Sequence, residues 1–381
     1  MEAALVSLLK TPTQVPLGAT EIAPGDERIV RAVEDVVLPL VYEIGPDEIR
    51  RHPMGDVAAR FGPAGDDGIL VQTYIVSQHS NLMDEAAEGS LIDGSSLGLE
   101  GLCAVGRGAT QNKGPMASAF AALEALEGDL RRPIWLAVNT EGRSSHAGSR
   151  RIIDELGIAA THGLVVFGTD MRVSLGNRGR VDVEITLRGK AAHSSQPWLG
   201  DNPIESAADV AVSLRSLPLP GEHPFLGPAT ATPYQFACFP IAPHTIPEEV
   251  KIVVDRRLLP EETAARAVEA IEQHLHGHGL ETAEVRQGAA MLPAIVDEDA
   301  PVVRALRDAV RDERGTLGET FWSLNAFDAG YACSKGIPSP MFGPGKRHFT
   351  GAGLIGDDAI PVDDCITAAR ILRRALLQLC A

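Results

Sequence analysis

The hydrophobic positions of the chain alternate between strand-length runs and helical patterns. Residues 69–71, 134–138 and 164–167 are short apolar runs of the length expected for buried strands. Residues 116–126 and 150–156, which lie between these runs, carry apolar side chains at helical spacing. Buried strands that alternate with helices are typical of an α/β sheet with helices on both faces, because such a sheet hides both faces of each strand.

The pattern changes after residue 180. Residues 181–187 and 250–255 alternate apolar and polar side chains with period two, as half-exposed strands do. Residues 203–214 and 262–276 have helical spacing, and the Pro/Gly-rich residues 217–233 are typical of a loop. This stretch therefore predicts a compact α+β domain rather than a continuation of the first sheet.

The two patterns predict two domains, which a chain of 381 residues with 44% hydrophobic content is long enough to build. After the α+β stretch the alternation of helices and strands resumes, and it ends in an amphipathic helix at residues 363–379. We predict a discontinuous α/β domain formed by residues 1–179 and 292–381, with an α+β domain inserted at residues 180–291.

Charge and cysteine usage narrow the class of protein. The net charge of −17 disfavours a nucleic acid or an anionic membrane as partner, because both attract basic surfaces. No run of about 18 apolar residues predicts a membrane-spanning helix, and the first residues lack the basic and apolar regions of a secretory signal. The five cysteines are widely spaced without a Cys-x-x-Cys pair, which indicates reduced thiols in a cytoplasmic protein.

Residues 106–114 read Gly-Arg-Gly-Ala-Thr-Gln-Asn-Lys-Gly. This segment resembles the motif Gly-Arg-Gly-Ala-x-Asp-x-Lys-Gly of the di-zinc amidohydrolases, a family that includes acetylornithine deacetylase, glutamate carboxypeptidase, aminoacylase and the carnosinase-type dipeptidases. The resemblance implies a zinc-peptidase-like α/β/α catalytic domain with an inserted lid or dimerisation domain, and a homodimer that acts on a small-molecule substrate. Further family landmarks follow in order between residues 69 and 379, at residues 189–195 with 200–204, 254–260, 327–329, 336–338 and 342–345.

The metal-binding positions of the family are altered in this chain. Gln111 stands where the family has the Asp that bridges two zinc ions, and a neutral amide cannot supply the charge that holds two dications together. Tyr74 stands where a ligand His belongs, and Val76 stands where the Asp that orients this His belongs. In an ungapped comparison Gly142 replaces the catalytic Glu and Arg143 replaces a ligand Glu.

Three residues could rebuild part of a metal site. A one-residue shift places Glu141 at the position of the general base. Gly168 or Asp170 falls at the next ligand position, although an Asp after a strand is equally typical of a turn. The last ligand position holds no His, but His348 lies ten residues before the acidic Asp358.

Arg143 argues against a metal at this site, since a guanidinium repels a dication and binds a carboxylate through two hydrogen bonds. We therefore expect neither a metal nor another cofactor, and we expect Arg143 and Gln111 to bind and polarise the substrate. Tyr74 is a candidate general acid or base, and Lys113 is a candidate base or cation. The lid His of the family corresponds to His193, and the resemblance implies that it polarises the scissile carbonyl across the dimer.

The resemblance also points to substrate-binding positions outside the metal site. Arg257 matches the arginine of the family's Val-Asp-x-Arg strand, and His244 stands where the family has a lid Asn. Gly343 and Gly345 belong to a predicted tight loop whose backbone N–H groups would bind an anion. Asp170 is the acidic partner that we expect for an arginine in the pocket.

The leading hypothesis is an enzyme that acts on a small amide or another amino-acid-derived C–N substrate without zinc. One alternative is a catalytically inactive homologue that binds a small ligand or a partner chain. Another is a zinc hydrolase with relocated ligands. A serine hydrolase is disfavoured, because Ser144, Ser145 and His146 are adjacent and neighbouring residues rarely align as nucleophile and base.

Overall fold

The computed structural model describes residues 1–16, 19, 21–77, 88–127, 130–141, 145–345 and 358–380 of the chain. No helix in this described part is long and apolar enough to cross a membrane. The chain divides into two compact units, of which the larger comprises Met1–Gly176, Ala294–Trp322 and Asp328–Ala381 and the smaller comprises Asn177–Pro293 and Ser323–Phe327.

Helices and strands alternate along the chain. The α-helices are α1 Glu2–Leu9, α2 Glu27–Ala32, α3 Leu38–Ile44, α4 Gly114–Glu124, α5 Ala147–Arg150, α6 Pro203–Ser213, α7 Ala264–Gly277, α8 Pro301–Arg314, α9 Ala329–Ser334 and α10 Val362–Cys380. The strands are β1 Glu48–Arg51, β2 Val57–Phe61, β3 Gly68–Tyr74, β4 Ser90–Asp93, β5 Leu102–Val105, β6 Ile134–Asn139, β7 Ala160–Val166, β8 Val173–Asn177, β9 Gly179–Arg188, β10 Ala192–His193, β11 Glu222–His223, β12 Gly227–Pro228, β13 Thr230–Phe239, β14 Thr245–Ile246, β15 Glu249–Leu258, β16 Glu284–Met291, β17 Ala294–Ile295, β18 Thr320–Ser323, β19 Met341–Phe342 and β20 Ala359–Pro361.

A mixed sheet forms the centre of the larger unit, with the strand order β1-β2-β6-β3-β7-β19-β8-β17 and with β18 paired to β8. Its four central strands, β6, β3, β7 and β19, run parallel to one another. Every residue of β3 and of β6 is buried. Strands covered on both faces need apolar side chains on both faces, which explains why these segments are continuous apolar runs in the sequence.

Helix α10 packs against both α4 and α8 in the larger unit. Their buried side chains Phe120, Leu306 and Leu372 join Ile69 and Val71 of β3 in one apolar core. A second, three-stranded sheet with the order β20-β5-β4 lies in the same unit. Through β20, this small sheet connects directly to α10, so the end of the chain is fixed to the segment before α4.

The N-terminal helix α1 belongs to the core of the larger unit, which the hydrophobic pattern did not predict. Leu5, Leu8 and Leu9 are all fully buried. Lys113, at the start of α4, is also fully buried, and its Nζ donates a hydrogen bond to the backbone oxygen of Thr11 at 2.7 Å. Lys113 therefore ties the segment after α1 to the start of α4, and its expected role as a base or cation stays a prediction.

The smaller unit is a two-layer α+β structure. Its antiparallel sheet has the order β13-β15-β9-β16. Val181, Val183 and Ile185 of β9 and Ile252 of β15 are fully buried, in one core with side chains of α6 and α7. The predicted fold class, an α/β domain combined with a smaller α+β domain, is confirmed.

The predicted loop at residues 217–233 contains more regular structure than expected. It holds the short paired strands β11 and β12 and the first residues of β13. Pro233 lies within β13, where the pairing with β15 shifts register before Gln235. A proline is tolerated there because β13 is an edge strand, so its missing N–H is not needed by a second neighbour.

The buried Lys113 predicts an alkaline dependence of stability. Burial lowers its pKa from the ordinary value of 10.5 to about 8, although the nearby charges of Glu88 and Asp358 oppose the shift. Between these pH values the unfolded chain binds a proton that the folded chain has released, so the free energy of unfolding rises with pH. Below about pH 8 Lys113 is protonated in both the folded and the unfolded chain, so the folded state is destabilised by the full free-energy cost of burying the charged ammonium group.

From about pH 8 to pH 10.5, we expect the free energy of unfolding of the wild-type protein to rise by up to about 3 kcal/mol more than that of Lys113→Met. The figure follows from about 1.4 kcal/mol per pKa unit. Urea unfolding at several pH values measures this difference, and Lys10→Met, which alters an exposed lysine, is the control. The same pH dependence in the wild type and in Lys113→Met would contradict the prediction.

Candidate functional site

The carboxyl ends of the four parallel strands meet at one edge of the central sheet. Strand β3 ends at Tyr74, β6 ends at Asn139, β7 ends at Val166 and β19 ends at Phe342. In open α/β sheets, ligands bind in the crevice beyond the carboxyl ends of the strands. The polar side chains that follow β3 and β6 are therefore the first candidates for a functional site.

Glu141 lies in the turn directly after β6. Its backbone N–H donates to Asn139 Oδ1 at 2.8 Å. Its carboxylate accepts hydrogen bonds from the N–H of Ser145 at 2.8 Å, from the Ser145 hydroxyl, and from the N–H of Gly148 at 2.8 Å. A Cβ atom at residue 148 would lie 2.0 Å from Asn139 Oδ1, so any residue other than glycine would displace the Asn139 side chain.

A second buried carboxylate, Asp328, lies beside the same turn. Asp328 Oδ1 accepts hydrogen bonds from His146 Nδ1 at 2.9 Å and from Ser149 Oγ at 2.8 Å. Ser149 Oγ in turn accepts a hydrogen bond from Gln72 Nε2 at 2.6 Å. His146 has the left-handed backbone angle φ of 65°, which is unusual for a residue with a side chain and costs backbone energy. The hydrogen bond to Asp328 therefore holds a strained residue in place.

The two carboxylates influence each other's protonation. Burial, followed by the negative charge of Asp328, raises the pKa of Glu141 from 4.5 to about 7, and the donors at Ser145 and Gly148 offset only part of this shift. Burial opposes ionisation of Asp328 as well, but the hydrogen bonds and charge of His146 keep its pKa below the ordinary value. At neutral pH Glu141 thus exchanges a proton readily while Asp328 stays ionised.

Tyr74 completes the site from the end of β3. Its side chain is buried, its hydroxyl lies near Asp328 without a hydrogen bond of normal geometry, and its ring packs edge-on against Phe167 at 5.9 Å. Burial and then the charge of Asp328 raise the Tyr74 pKa well above 10. Tyr74 keeps its proton at neutral pH, which favours a role as hydrogen-bond donor or general acid over a role as base; its catalytic role stays a prediction.

A buried ion pair between Asp56 and Arg151 anchors the residues next to Glu141. Asp56 is fully buried and accepts hydrogen bonds from the N–H and the hydroxyl of Thr140, both at 3.0 Å. The same carboxylate pairs with Arg151, which follows α5. Thr140 immediately precedes Glu141, so both sides of the turn are bound to one buried carboxylate.

The loop before α4 is held by a residue near the end of the chain. Asp358 accepts hydrogen bonds from the N–H of Gly108 at 2.8 Å, from the N–H of Thr110 at 3.0 Å and from the Thr110 hydroxyl at 2.8 Å. Gln111 follows in this loop, is half-buried and accepts a hydrogen bond from the N–H of Gly168 through its backbone oxygen. The N–H groups of Gly108 and Thr110 are therefore bound to protein.

The glycine loop after β19 differs from the expectation. The N–H of Gly343 donates to Thr169 Oγ1 at 3.1 Å, so this group is not free to bind an anion. The backbone oxygen of Gly345 accepts a hydrogen bond from the N–H of Asp170 at 3.0 Å. Asp170 is exposed and has a φ of 58°, which is the geometry of a turn residue rather than that of a buried partner for an arginine.

The smaller unit holds the other predicted residues. Arg257 donates two hydrogen bonds to Asp255, at 2.7 and 2.9 Å, so an acid of the protein occupies its fork. His193 and His244 are both exposed, and their ring centroids lie 6.1 Å apart. His193 Nδ1 accepts a hydrogen bond from the N–H of Ser195 at 3.2 Å. In the neutral ring the proton therefore sits on Nε2, which makes His193 a hydrogen-bond donor.

Arg143, Gly142 and His348 lie outside the described residues, so the proposed role of Arg143 remains a prediction from the sequence. Among the residues that sequence reasoning missed, His146 and Asp328 are the most informative. Asp328 was identified only as part of a Phe-Asp-Ala landmark, and His146 was considered only as a base for a neighbouring serine. Their partnership joins positions 182 residues apart, which no local pattern encodes.

The described residues do not fit a di-zinc site. They contain no group of three or more His, Cys, Asp or Glu side chains that could hold a metal ion, whereas protein zinc sites use three or four such ligands. Glu141 accepts hydrogen bonds from N–H groups at both carboxylate oxygens. Tyr74 stays protonated at neutral pH. The exposed Asp170 lies in a turn of its own.

Comparison with known proteins identifies relatives of both units. Residues 175–283 match the peptidase dimerisation domain of the M20 family. Succinyl-diaminopimelate desuccinylase of Novosphingobium aromaticivorans is 26% identical over 281 residues, which is 72% of each chain. Acetylornithine deacetylase of Myxococcus xanthus is 27% identical over 288 residues, again 72% of each chain.

A solved structure has the same fold over nearly the full length. An M20 family metallo-carboxypeptidase of Sulfolobus solfataricus matches with a TM-score of 0.75 and 16% identity, covering 99% of this chain and 98% of that one. The resemblance expected from the sequence is thereby confirmed: residues 175–283 match the M20 peptidase dimerisation domain, the chain is similar to acetylornithine deacetylase, and it shares the fold of an M20 metallo-carboxypeptidase.

Proposed function

We propose that this protein hydrolyses the C–N bond of a small amino-acid-derived amide and that Glu141, rather than a zinc pair, activates the attacking water. The observation that carries the proposal is the position of the Glu141 carboxyl group, at the carboxyl end of β6 and beside the buried Asp328 and Tyr74. A general base works best when its pKa lies near the working pH, and the pKa of Glu141 is about 7.

The proposed step balances without a cofactor. Ionised Glu141 takes a proton from water while the water oxygen attacks the amide carbon. Protonated Glu141 then gives this proton to the leaving nitrogen as the C–N bond breaks, so the products are an acid and an amine. Asp328 stays ionised throughout, and its charge keeps the proton affinity of Glu141 high enough for both transfers.

One hydrogen-bond donor of the larger unit is proposed to stabilise charge on the substrate. Tyr74 keeps its proton and lies at the end of β3, near Asp328. The role of His193, a donor to the scissile carbonyl across a dimer, stays a prediction from the family resemblance. Donors of this kind stabilise the oxyanion that develops when water attacks a carbonyl.

The substrate class is proposed from the relatives. Their names describe enzymes that remove succinyl and acetyl groups, so we propose an N-acylated amino acid as the substrate of this chain. Arg143 remains the proposed group for the substrate carboxylate, since Arg257 is already paired with Asp255.

We also propose that the smaller unit forms a homodimer through the edge of its sheet. The match to a dimerisation domain supports a second copy of the chain as partner. Tyr234, Phe236 and Phe239 on the edge strand β13 are 46%, 48% and 47% exposed. Exposed aromatic side chains on an edge strand favour pairing with another chain.

The first prediction concerns the substrate and the metal. A panel of N-succinyl and N-acetyl amino acids, with dipeptides for comparison, is assayed after dialysis against EDTA. We expect at least one N-acyl amino acid to be hydrolysed at a rate that added zinc does not raise. A rate that EDTA abolishes and zinc restores would instead support relocated metal ligands, and no turnover on any compound would support an inactive ligand-binding homologue.

The second prediction isolates Glu141. We expect Glu141→Gln to lower kcat/KM by roughly 10²- to 10⁴-fold, the usual contribution of a general base. The wild-type kcat/KM should fall as the pH drops below about 7, because protonated Glu141 cannot accept a proton from water. Glu155→Gln, which alters an exposed acid in the same unit, is the matched control. Equal activity in Glu141→Gln and Glu155→Gln would remove Glu141 from the mechanism.

The third prediction concerns the dimer. Light scattering at micromolar concentration should give the mass of two chains, and Phe236→Glu should give the mass of one, because the new charge would be buried at the interface. Leu317→Glu changes a residue of similar exposure in the larger unit and should leave the dimer intact. A monomeric wild-type protein would contradict the proposal.

A further inference from the structure

Two histidine rings lie close together at the C-terminal end of α7, in the smaller unit. His274 lies in the last turn of the helix and His278 is its C-cap residue. They are four positions apart, so their side chains lie on the same helix face. Their ring centroids are 4.3 Å apart, and the ring planes are inclined by 45°.

Backbone carbonyls determine which nitrogen of each ring carries the proton. His274 Nε2 lies 2.8 Å from the backbone oxygen of Ser213, and His278 Nδ1 lies 2.8 Å from the backbone oxygen of His274. A carbonyl oxygen only accepts, so both of these nitrogens must donate. Each neutral ring therefore keeps a lone pair on its other nitrogen, Nδ1 of His274 and Nε2 of His278.

We propose that His274 and His278 bind a divalent transition-metal ion of the kind that prefers imidazole, such as Cu²⁺ or Ni²⁺. Neutral imidazole nitrogens are ligands for these ions. Metal-binding histidines almost always donate their other N–H to a carbonyl or carboxylate, which fixes the tautomer and the ring orientation. Both rings meet this condition here, and His278 is exposed, so an ion has access from solvent.

The arrangement also indicates the geometry of the site. Two imidazole nitrogens, one from each ring, with water in the remaining positions suit the tetragonal coordination of Cu²⁺ or Ni²⁺. No third His, Cys, Asp or Glu joins the pair among the described residues. Water therefore supplies the remaining positions, and we expect micromolar rather than nanomolar binding.

The pair formed by His193 and His244, also in the smaller unit, provides a contrast. Ser195 donates its N–H to His193 Nδ1, so the neutral ring of His193 carries its proton on Nε2 and offers no lone pair to an ion. The distance between two rings is thus not sufficient for a metal site. A neutral ring can bind a metal ion through one nitrogen only when its other nitrogen carries the proton and donates it to an acceptor.

An ion at this pair would stabilise the smaller unit. Binding withdraws electron density from the His274 ring and strengthens its hydrogen bond to Ser213, the last residue of α6. The end of α7 would thereby be fixed more firmly to the end of α6. A ligand that binds only the folded state raises the midpoint of thermal unfolding in proportion to its occupancy.

The test is a calorimetric titration of the EDTA-treated full chain with NiCl₂, combined with electron paramagnetic resonance after addition of CuCl₂. We expect one micromolar site and a spectrum with two coordinated nitrogens. His278→Ala, which removes an exposed ring, and His274→Ala should each weaken Ni²⁺ binding by at least about tenfold. His276→Ala is the matched control, because His276 is exposed at the same helix end and lies outside the pair.

Retention of wild-type affinity in His278→Ala, or a Cu²⁺ spectrum with a single coordinated nitrogen, would overturn the proposal. Equal loss of affinity in His276→Ala would also overturn it, since the site would then be diffuse binding along the helix end. These outcomes do not depend on hydrolytic activity, so they are separate from the test of the proposed function.

Discussion

The candidate site depends on two carboxylates that are buried close enough for their charges to interact. Two ionised acids in such a position repel each other, so one of them holds its proton to a higher pH. The hydrogen bonds from His146 and Ser149 decide which one, because they stabilise the charge on Asp328 and leave Glu141 to titrate near neutrality. The chemistry proposed for Glu141 follows from this asymmetry.

Several contacts of the surrounding structure hold the described residues at the end of β6 and after it, 139–141 and 145–151. Among these contacts, Asp56 and Arg151 form a buried ion pair, and an ion pair without solvent is costly unless its remaining hydrogen bonds are satisfied. Thr140 supplies two of those bonds. At Gly148 the absence of a side chain lets Asn139 reach the N–H of Glu141. Loss of any of these contacts would shift the position of the Glu141 carboxyl group, although the group itself would still be present.

Much of the fold could be predicted from the sequence, because buried parallel strands require continuous apolar runs and half-exposed strands require alternation. The runs at β3, β6 and β7 and the alternation in β9 and β15 are local signals of this kind. Tyr74 could likewise be placed at the end of β3, since its position relative to an apolar run is also local. The confirmed fold class rests on these features.

The site itself could be predicted only in part, because its contacts join distant segments. The sequence gives no sign that Lys113 would be buried against Thr11, since α1 has no helical pattern that distinguishes its core face. The pairing of His146 with Asp328 is equally non-local. The raised pKa of Glu141 depends on burial and on a neighbouring charge, and neither can be obtained from residue spacing.

The link between Asp358 and the loop before α4 has a consequence for the order in which the protein can mature. Gly108 and its acceptor are 250 residues apart in the chain, and the whole smaller unit is synthesised between them. While the chain emerges from the ribosome, the strands β3, β6 and β7 can associate early, but this loop stays without its acceptor until nearly the last segment is made. Contacts of such long sequence separation form late and slowly. A nascent chain can therefore pair β3, β6 and β7 well before β19 completes the sheet and Asp358 reaches the N–H groups of Gly108 and Thr110.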